Sequence, residues 1–513
     1  MFKRLLSADI RHQRYAWAVG VGVFLFLLGF SPGTLAGAGY TLENLSAAQQ
    51  LLTSLGHLMT QGMWPGVAWP RHGAPELLLE LPFLLPSRLL FGTSTEWAGG
   101  IMILQPALAV SAVAAIIFLW THRLTGNFFW AYLISAGGTL GTMLWPYAYI
   151  GMETSQSACL LWAAYLALAQ SGPRSWKRTM LFALSAGFGL SVKSNGIFLA
   201  PAIGYLAFHF LHDAHDMRSR VRRQAVLIAS VVAAIFASGY LTRQAYWAAI
   251  PGGNPGYFAS LLVESPVTAF FNFYNFFASP NKGLFFYSPL MLWSLVKMPA
   301  AYRTHRVLVV FALLALLGLA GGFSLVEVWT DETWGPRYLH SAVGPLLISL
   351  AATGSRGAFH RRPEAGWIAC ALLGTAVSFL GVFFSYPVLH QAMIGATQQT
   401  LSAMQHAPEW NHIRFNGKLF LIWAGERIHR APGPVKWPPE PYWMFEKPAD
   451  APAAKTMDLR ELADPQPLWA RQWKGPPGAP AVVRILRPIL MLCLAAGLIL
   501  LATLARKTYR EKT

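Results

Sequence analysis

The stretch GGIMILQPALAVSAVAAIIFLW, residues 99–120, contains no ionisable side chain, and His122 and Arg123 follow it closely. An α-helix needs about 20 predominantly apolar residues to cross the hydrocarbon core of a bilayer. Residues 99–120 meet this length, and basic side chains are typical of the cytoplasmic end of such a helix. The stretch therefore predicts a transmembrane helix that ends on the cytoplasmic side at Arg123.

Similar apolar runs recur along the 513 residues, of which 54% are hydrophobic and only 12% are charged. A soluble domain usually carries about 25% charged residues, so this chain has too little polar surface for a water-exposed globule. We predict an all-α polytopic membrane protein of about 12 transmembrane helices. The predicted spans are residues 15–30, 99–120, 127–145, 153–169, 180–192, 196–211, 224–240, 283–296, 307–323, 338–352, 367–386 and 483–505. The pair 180–192 and 196–211 is short and is expected to be a broken or re-entrant pair.

The net charge of +18 fits this topology. The predicted cytoplasmic segments hold about 22 Lys and Arg residues and the predicted outer loops before residue 387 about six, as the positive-inside rule requires. We therefore expect both termini in the cytoplasm. Neither a zinc-ligand spacing nor a basic stripe with interleaved aromatics is present, so no nucleic-acid partner is predicted. The three cysteines, Cys159, Cys370 and Cys493, all lie in apolar runs and predict no disulfide framework.

The predicted spans divide the chain into three parts. Residues 1–390 form a transmembrane core, which includes a long first outer loop, 31–97, with helix-like stretches. Residues 387–482 form a proline-rich outer segment, with one amphipathic stretch around 410–428 that is suited to a membrane surface. Residues 483–513 form the last transmembrane helix and a basic cytoplasmic tail.

Four groups of polar residues gather on the predicted outer face. The first loop carries Glu43, then WPRHG at 69–73, then Glu76 and Glu80. The second group is WPY at 145–147 followed by Glu153, which opens a predicted helix. The third is SPNKGLFFYSP at 279–289, and the fourth is WTDETWGPRY at 329–338. Carboxylates that adjoin apolar runs are costly and are usually paired or functional, so these groups are the candidate site.

These motifs, taken in order over roughly residues 15–390, resemble the GT-C superfamily of membrane glycosyltransferases, which use polyprenyl-phosphate-linked sugars. The superfamily includes bacterial enzymes of the protein mannosyltransferase and aminoarabinose transferase types. The most specific elements are SPNKGLF at 279–285 and WGPRY at 334–338, with Lys193 between the two short helices. The resemblance implies a GT-C-like fold in the bacterial inner membrane and an active site on the periplasmic or extracellular side. The family acid of the first loop is usually Asp, and Glu43 stands in its place here.

The chemistry of such a transfer explains the residue types. An acceptor hydroxyl must lose its proton to a general base, and cations must hold the phosphate as charge develops on the leaving group. We predict Glu43 and Glu153 as catalytic residues, Glu43 as the base and Glu153 as a carboxylate that orients the acceptor or binds a divalent cation. The predicted substrate-binding residues are Arg71, His72, Glu76, Lys193, Lys282, Tyr287, Trp334, Arg337 and Tyr338. Arg and Lys suit the phosphate, and the aromatic rings suit the sugar.

The expected partners are a polyprenyl-phosphate sugar donor, a glycan, lipid or protein acceptor, and membrane lipids. Three alternatives remain at this stage: a lipid or sugar transporter or flippase, a polyprenyl-dependent surface-polysaccharide polymerase or ligase, and a scaffold that has lost the base. Structural roles compete as well. Glu153 could serve only the helix N-terminus, Lys193 could extend its amine to the interface, and Tyr287 and Trp334 could belong to an interfacial aromatic belt.

Overall fold

The structure is a computed structural model that describes residues 2–30, 74–91, 104–149, 152–169, 175–212, 218–249, 262–263, 265–326, 334–353, 364–384, 411–427 and 480–510. Within these ranges the chain is helical, and its one extended pairing is an isolated antiparallel bridge between Leu262 and Val326. The predicted division into a core, an outer segment and a last helix stays a prediction, because much of residues 31–97 and 387–482 lies outside the described ranges.

The helices follow one another in chain order. They are α1 Phe2–Gly29, α2 Ala74–Phe91, α3 Leu104–Thr125, α4 Phe128–Leu140, α5 Leu144–Tyr147, α6 Met152–Ala164, α7 Trp176–Ser191, α8 Ala200–His212, α9 Arg218–Ala249, α10 Pro266–Ala278, α11 Leu284–Tyr287, α12 Pro289–Thr304, α13 Arg306–Ser324, α14 His340–Ala352, α15 Ala365–Phe383, α16 His412–Arg427 and α17 Pro480–Arg510.

Five segments of the described helices are long and apolar enough to cross a membrane. They are Leu104–Thr125, Val221–Tyr246, Arg306–Ser324, Ala365–Phe383 and Arg487–Arg510. Large apolar side chains on two of these helices point away from the protein, among them Leu372 on α15 and Leu492 on α17, which are 67% and 68% exposed. Such surfaces are stable in lipid and costly in water. The helical class, with five candidate spans in the described residues, is therefore confirmed, while the count of about 12 spans stays a prediction.

Two helices can pack closely at glycine residues, because glycine has no side chain to separate them. The helices α1 and α17 run antiparallel in contact with each other. A Cβ added at Gly29 would lie 2.7 Å from the Cα of Leu494, and one added at Gly497 would lie 2.5 Å from the backbone nitrogen of Phe26. Small residues at such positions let two helix backbones approach within a bilayer, where apolar burial alone does not drive helices together.

Two helix interruptions confirm or refine the predicted spans. The predicted short pair is present: α7 ends at Ser191, and a 3-10 turn, Ser194–Leu199, leads into α8. The predicted span 283–296 is divided at Ser288, between α11 and α12. Pro289 opens α12 because proline fits the first helical position and cannot continue a helix from before it. The Ser288 hydroxyl accepts a hydrogen bond from the Met143 backbone nitrogen at 3.0 Å, which anchors the break.

Candidate active site

A buried carboxylate, Glu153, lies at the centre of the candidate site. It stands in the first turn of α6, and its side chain is 1% exposed. Its Oε1 accepts hydrogen bonds from Lys193 Nζ and from Arg337 Nε, the latter at 2.5 Å. The helix N-terminus favours a negative charge, and the two cations add much stronger attraction in a buried environment. The role of Glu153 is therefore not limited to its own helix terminus.

Lys193 reaches Glu153 because the chain leaves the helical conformation after α7. The backbone of Lys193 is extended, with φ −132° and ψ 152°. The side chain is buried, so Lys193 does not extend its amine to a lipid interface. Its Nζ also lies 5.2 Å from the ring centroid of Tyr338, a cation–π distance. The Tyr338 ring in turn stacks on Phe323, with centroids 3.9 Å apart. The ammonium group thus has a carboxylate and an aromatic face as neighbours.

The turn at Gly335 brings Arg337 to Glu153. Gly335 has φ +66°, a conformation that side chains other than glycine rarely adopt. A Cβ at this position would also lie 2.8 Å from the Cγ of Tyr287. The turn is followed by a 3-10 helix, Arg337–Leu339, that leads into α14. The glycine of the WGPRY motif is therefore required by backbone geometry and by close packing together.

A network of neutral polar groups connects the segments that carry these charges. Gln156 Nε2 donates to Asn195 Oδ1 at 3.2 Å, and Ser341 Oγ donates to Gln156 Oε1 at 2.9 Å. Ser157 Oγ and His340 Nδ1 are hydrogen-bonded at 2.9 Å. Sequence reasoning missed these residues. Their signal was the position of Gln156 and Ser157 three and four residues after Glu153, on the same face of the helix.

Trp334 and Tyr287 form a second layer next to the charged residues. Their rings meet edge to face, with centroids 5.1 Å apart. The Tyr287 hydroxyl donates to the Asn281 carbonyl oxygen at 2.6 Å, and the Tyr147 hydroxyl donates to the Trp334 carbonyl oxygen at 2.9 Å. Both rings are fully buried in protein, which excludes an interfacial aromatic belt for them. Their predicted contact with a sugar stays a prediction.

Lys282 lies in this second layer. The loop before it is held by the segment that begins α16. The Lys282 side chain is buried. The side-chain nitrogen of Asn411 donates to the Pro280 carbonyl oxygen at 2.8 Å and holds the loop. Asn411 Oδ1 also accepts from the Arg414 backbone nitrogen at 3.0 Å, which caps α16. The stretch predicted as amphipathic around 410–428 forms the helix α16. The residue that caps this helix contacts the motif that carries Lys282.

Two further carboxylates lie on α2, within the predicted first outer loop. Glu76 and Glu80 lie one turn apart on α2, and both side chains are buried. Glu76 interacts electrostatically with Glu80, Glu153, Lys193 and Arg337. The α2 helix is anchored to α9, where Thr242 Oγ1 accepts a hydrogen bond from the Ala74 backbone nitrogen at 2.9 Å.

The structure thus brings five predicted residues together around one charged cluster, namely Glu76, Glu153, Lys193, Arg337 and Tyr338. Lys282, Tyr287 and Trp334 belong to the adjoining layer. Glu43, Arg71 and His72 lie outside the described residues, so their positions and roles stay predictions. The described ranges contain no group of three His, Cys, Asp or Glu side chains that could hold a metal ion.

The fold and the site define a helical membrane protein with a buried cluster of opposite charges where separate helix ends meet. No family model matches the sequence, and a search of curated proteins gives no significant match.

Among solved structures, the chain is similar to ArnT from Cupriavidus metallidurans. One structure of that protein is bound to undecaprenyl phosphate, with TM-score 0.43, 13% identity, and 96% of this chain and 77% of that chain covered. The other is in the apo state, with TM-score 0.41, 13% identity, and coverage of 96% and 76%. We base the functional proposals on the geometry around Glu153.

Proposed function

We propose that this protein is a GT-C-type membrane glycosyltransferase that moves a sugar from a polyprenyl-phosphate-linked donor to an acceptor at the outer face of a bacterial inner membrane. One observation carries the proposal: Glu153 is ion-paired with both Lys193 and Arg337 inside the bundle. Burying an ion costs several kcal/mol, and well-packed apolar side chains often stabilise a core equally well. A buried charged cluster in a membrane protein is by default a functional site.

The two cations suit the phosphate of the donor. Arginine binds phosphate through a planar fork of N–H donors, and lysine binds it as a point charge. In the proposed site Lys193 and Arg337 stabilise the charge that develops on the leaving phosphate. Glu153 keeps the two cations in place, which is a positioning role and a narrower one than the catalytic role predicted from the sequence. Lys282 adds positive charge from the adjoining layer. A lipid-linked donor also explains why the enzyme is embedded in a bilayer.

Binding of undecaprenyl phosphate to the full chain in nanodiscs tests the proposal. We expect Lys193→Gln and Arg337→Gln each to weaken binding by about tenfold or more, since a hydrogen bond to a charged group contributes about 1.5–3 kcal/mol. Lys297→Gln is the matched control, because Lys297 pairs with Glu364 at 2.7 Å in a partly exposed position. Equal affinity of all three variants and the unaltered protein, or no binding at all, would overturn the proposal.

Transfer itself is measured with undecaprenyl phosphate carrying labelled glucose, mannose, arabinose or aminoarabinose. Total envelope lipids and glycans are supplied as acceptors. Label should move to an acceptor from at least one donor. The transporter alternative predicts instead that the intact lipid crosses the bilayer and that the bond between sugar and phosphate survives.

A further inference from the structure

The Glu76 carboxyl group is buried without a hydrogen-bond partner among the described residues. Its side chain is 2% exposed, and both of its oxygens are unpartnered in this way. Leaving a buried polar group unpaired is energetically costly, and more so when the group is charged. A protein that tolerates this cost at a charged cluster usually does so for function.

The surroundings of Glu76 place it within the candidate active site. On its own helix the nearest charge is Glu80, and across the site lie Glu153, Lys193 and Arg337. From α9, Arg243 also interacts with it electrostatically.

Two packing contacts hold this arrangement. Arg243 is fixed by a hydrogen bond to the Ser191 carbonyl oxygen at 3.0 Å, at the end of α7. The neighbour of Glu76, Leu77, is buried. The carboxyl group therefore belongs to a packed helix and not to a solvated loop.

We propose that Glu76 is the general base of the transfer reaction. This inference rests on the proposed function and deepens it. Glu153 also has one unpartnered oxygen, Oε2. It is less suited to the role because its Oε1 is bonded to two cations, and such bonds stabilise a carboxylate against protonation. The Glu76 oxygens have no such bonds. Glu43, to which the sequence resemblance gives the role of base, is the direct competitor.

The step balances in atoms and charge. The O–H bond of the acceptor breaks, and its proton passes to the Glu76 carboxylate. The oxygen's electron pair forms a bond to the anomeric carbon of the sugar. The bond from that carbon to the phosphate oxygen breaks, and its electron pair leaves with the polyprenyl phosphate beside Lys193 and Arg337. Glu76 then releases the proton to water.

The electrostatic setting makes the Glu76 carboxylate a stronger base than an ordinary glutamate. Burial, followed by the charges of Glu80 and Glu153, raises the pKa of Glu76 well above 4.5, and Lys193 and Arg337 oppose the rise. A general base is most effective when its pKa lies near the working pH. Since the base must be ionised, transfer should increase as pH rises through this raised pKa. The acid limb of the pH–rate profile should therefore lie above pH 4.5.

The test compares variants of the full chain in nanodiscs, with the labelled donors described above and undecaprenyl phosphate as the binding probe. Glu76→Gln should lower transfer by about 10²-fold or more and leave the affinity for undecaprenyl phosphate within about threefold. Glu80→Gln should retain transfer and move the acid limb to lower pH, because it removes a like charge. Leu78→Ala is the control on the same helix, since Leu78 is exposed.

The possible results distinguish failure of the Glu76 inference from failure of the proposed function. Transfer by Glu76→Gln at the unaltered rate and pH profile overturns the inference, and so does an equal loss of transfer and binding. Loss of transfer in Glu43→Gln with full transfer in Glu76→Gln makes Glu43 the base. Absence of transfer and binding in the unaltered protein overturns the proposed function itself. If Glu76→Gln does not fold, Glu76→Asp must retain measurable transfer with an acid limb for the inference to stand.

Discussion

The substitution Glu153→Gln tests the central ion cluster most directly. It removes one negative charge and nearly preserves the shape of the side chain. The Lys193 and Arg337 side chains are 6% and 4% exposed, so two cations remain in a buried environment. Breaking a buried ion pair by removing one partner costs about 3–5 kcal/mol. We therefore expect the free energy of unfolding to fall by at least about 3 kcal/mol, because one carboxylate serves both cations.

A partly exposed ion pair in the same protein provides the control. Lys297 Nζ and Glu364 Oε2 lie 2.7 Å apart, with side chains 29% and 41% exposed. Exposed pairs contribute about 0–1 kcal/mol. Glu364→Gln removes the same kind of charge in the same kind of substitution, so it should change the free energy of unfolding by no more than this amount.

Denaturant titration in mixed micelles, followed by tryptophan fluorescence, measures both variants. Heat unfolding of a large protein is often irreversible, so unfolding rates at a fixed temperature are recorded as well. Undecaprenyl phosphate should stabilise Glu153→Gln more than it stabilises the unaltered protein, because an added anion replaces the lost charge. If Glu153→Gln is no less stable than Glu364→Gln, the cluster does not contribute the free energy of unfolding that its burial and distances imply.

Two further substitutions test the packing around the site. Gly335→Ala should lower the free energy of unfolding by at least about 1–2 kcal/mol, because of the positive φ. Gly204→Ala in the open middle of α8 should have no such cost, and similar thermal shifts for both would contradict the strain argument. Asn411→Ala should release α16 from the Pro280 loop and cost about 1 kcal/mol, seen as faster hydrogen exchange in α16. Asn411→Asp keeps the helix cap and loses only the bond to Pro280, so unchanged exchange in both variants would show that the helix is held elsewhere.

The parts of the site that sequence reasoning could predict are those with a local signal. Glu153 opens a helix and Lys193 interrupts one, and both features are readable from composition and spacing within a few residues. The structure places both as expected. The helical class was also predictable, because the length and apolarity of the runs leave few other solutions in a bilayer.

The parts that could not be predicted depend on contacts between distant segments. Glu153 and Arg337 are 184 positions apart, and no local pattern tells which of several outer cations will pair with which acid. The role of α16 is similar, since Asn411 and Pro280 lie 131 positions apart. The interruption at Ser288 was readable from Pro289 in principle. The apolar residues on both sides nevertheless made one continuous span the simpler prediction.

The antiparallel contact between α1 and α17 has a consequence for how the molecule is made. During synthesis α1 leaves the ribosome before the other described helices, and α17 leaves it after them. The side of α1 that carries Gly22 and Gly29 therefore has no α17 to pack against until α17 has been inserted. Lys507 at the far end of α17 then comes to lie over the ring of Tyr15, with its Nζ 5.2 Å from the ring centroid. Complementary reporter fragments fused before α1 and after α17 should consequently join within a single molecule, and only after translation of the last helix is complete.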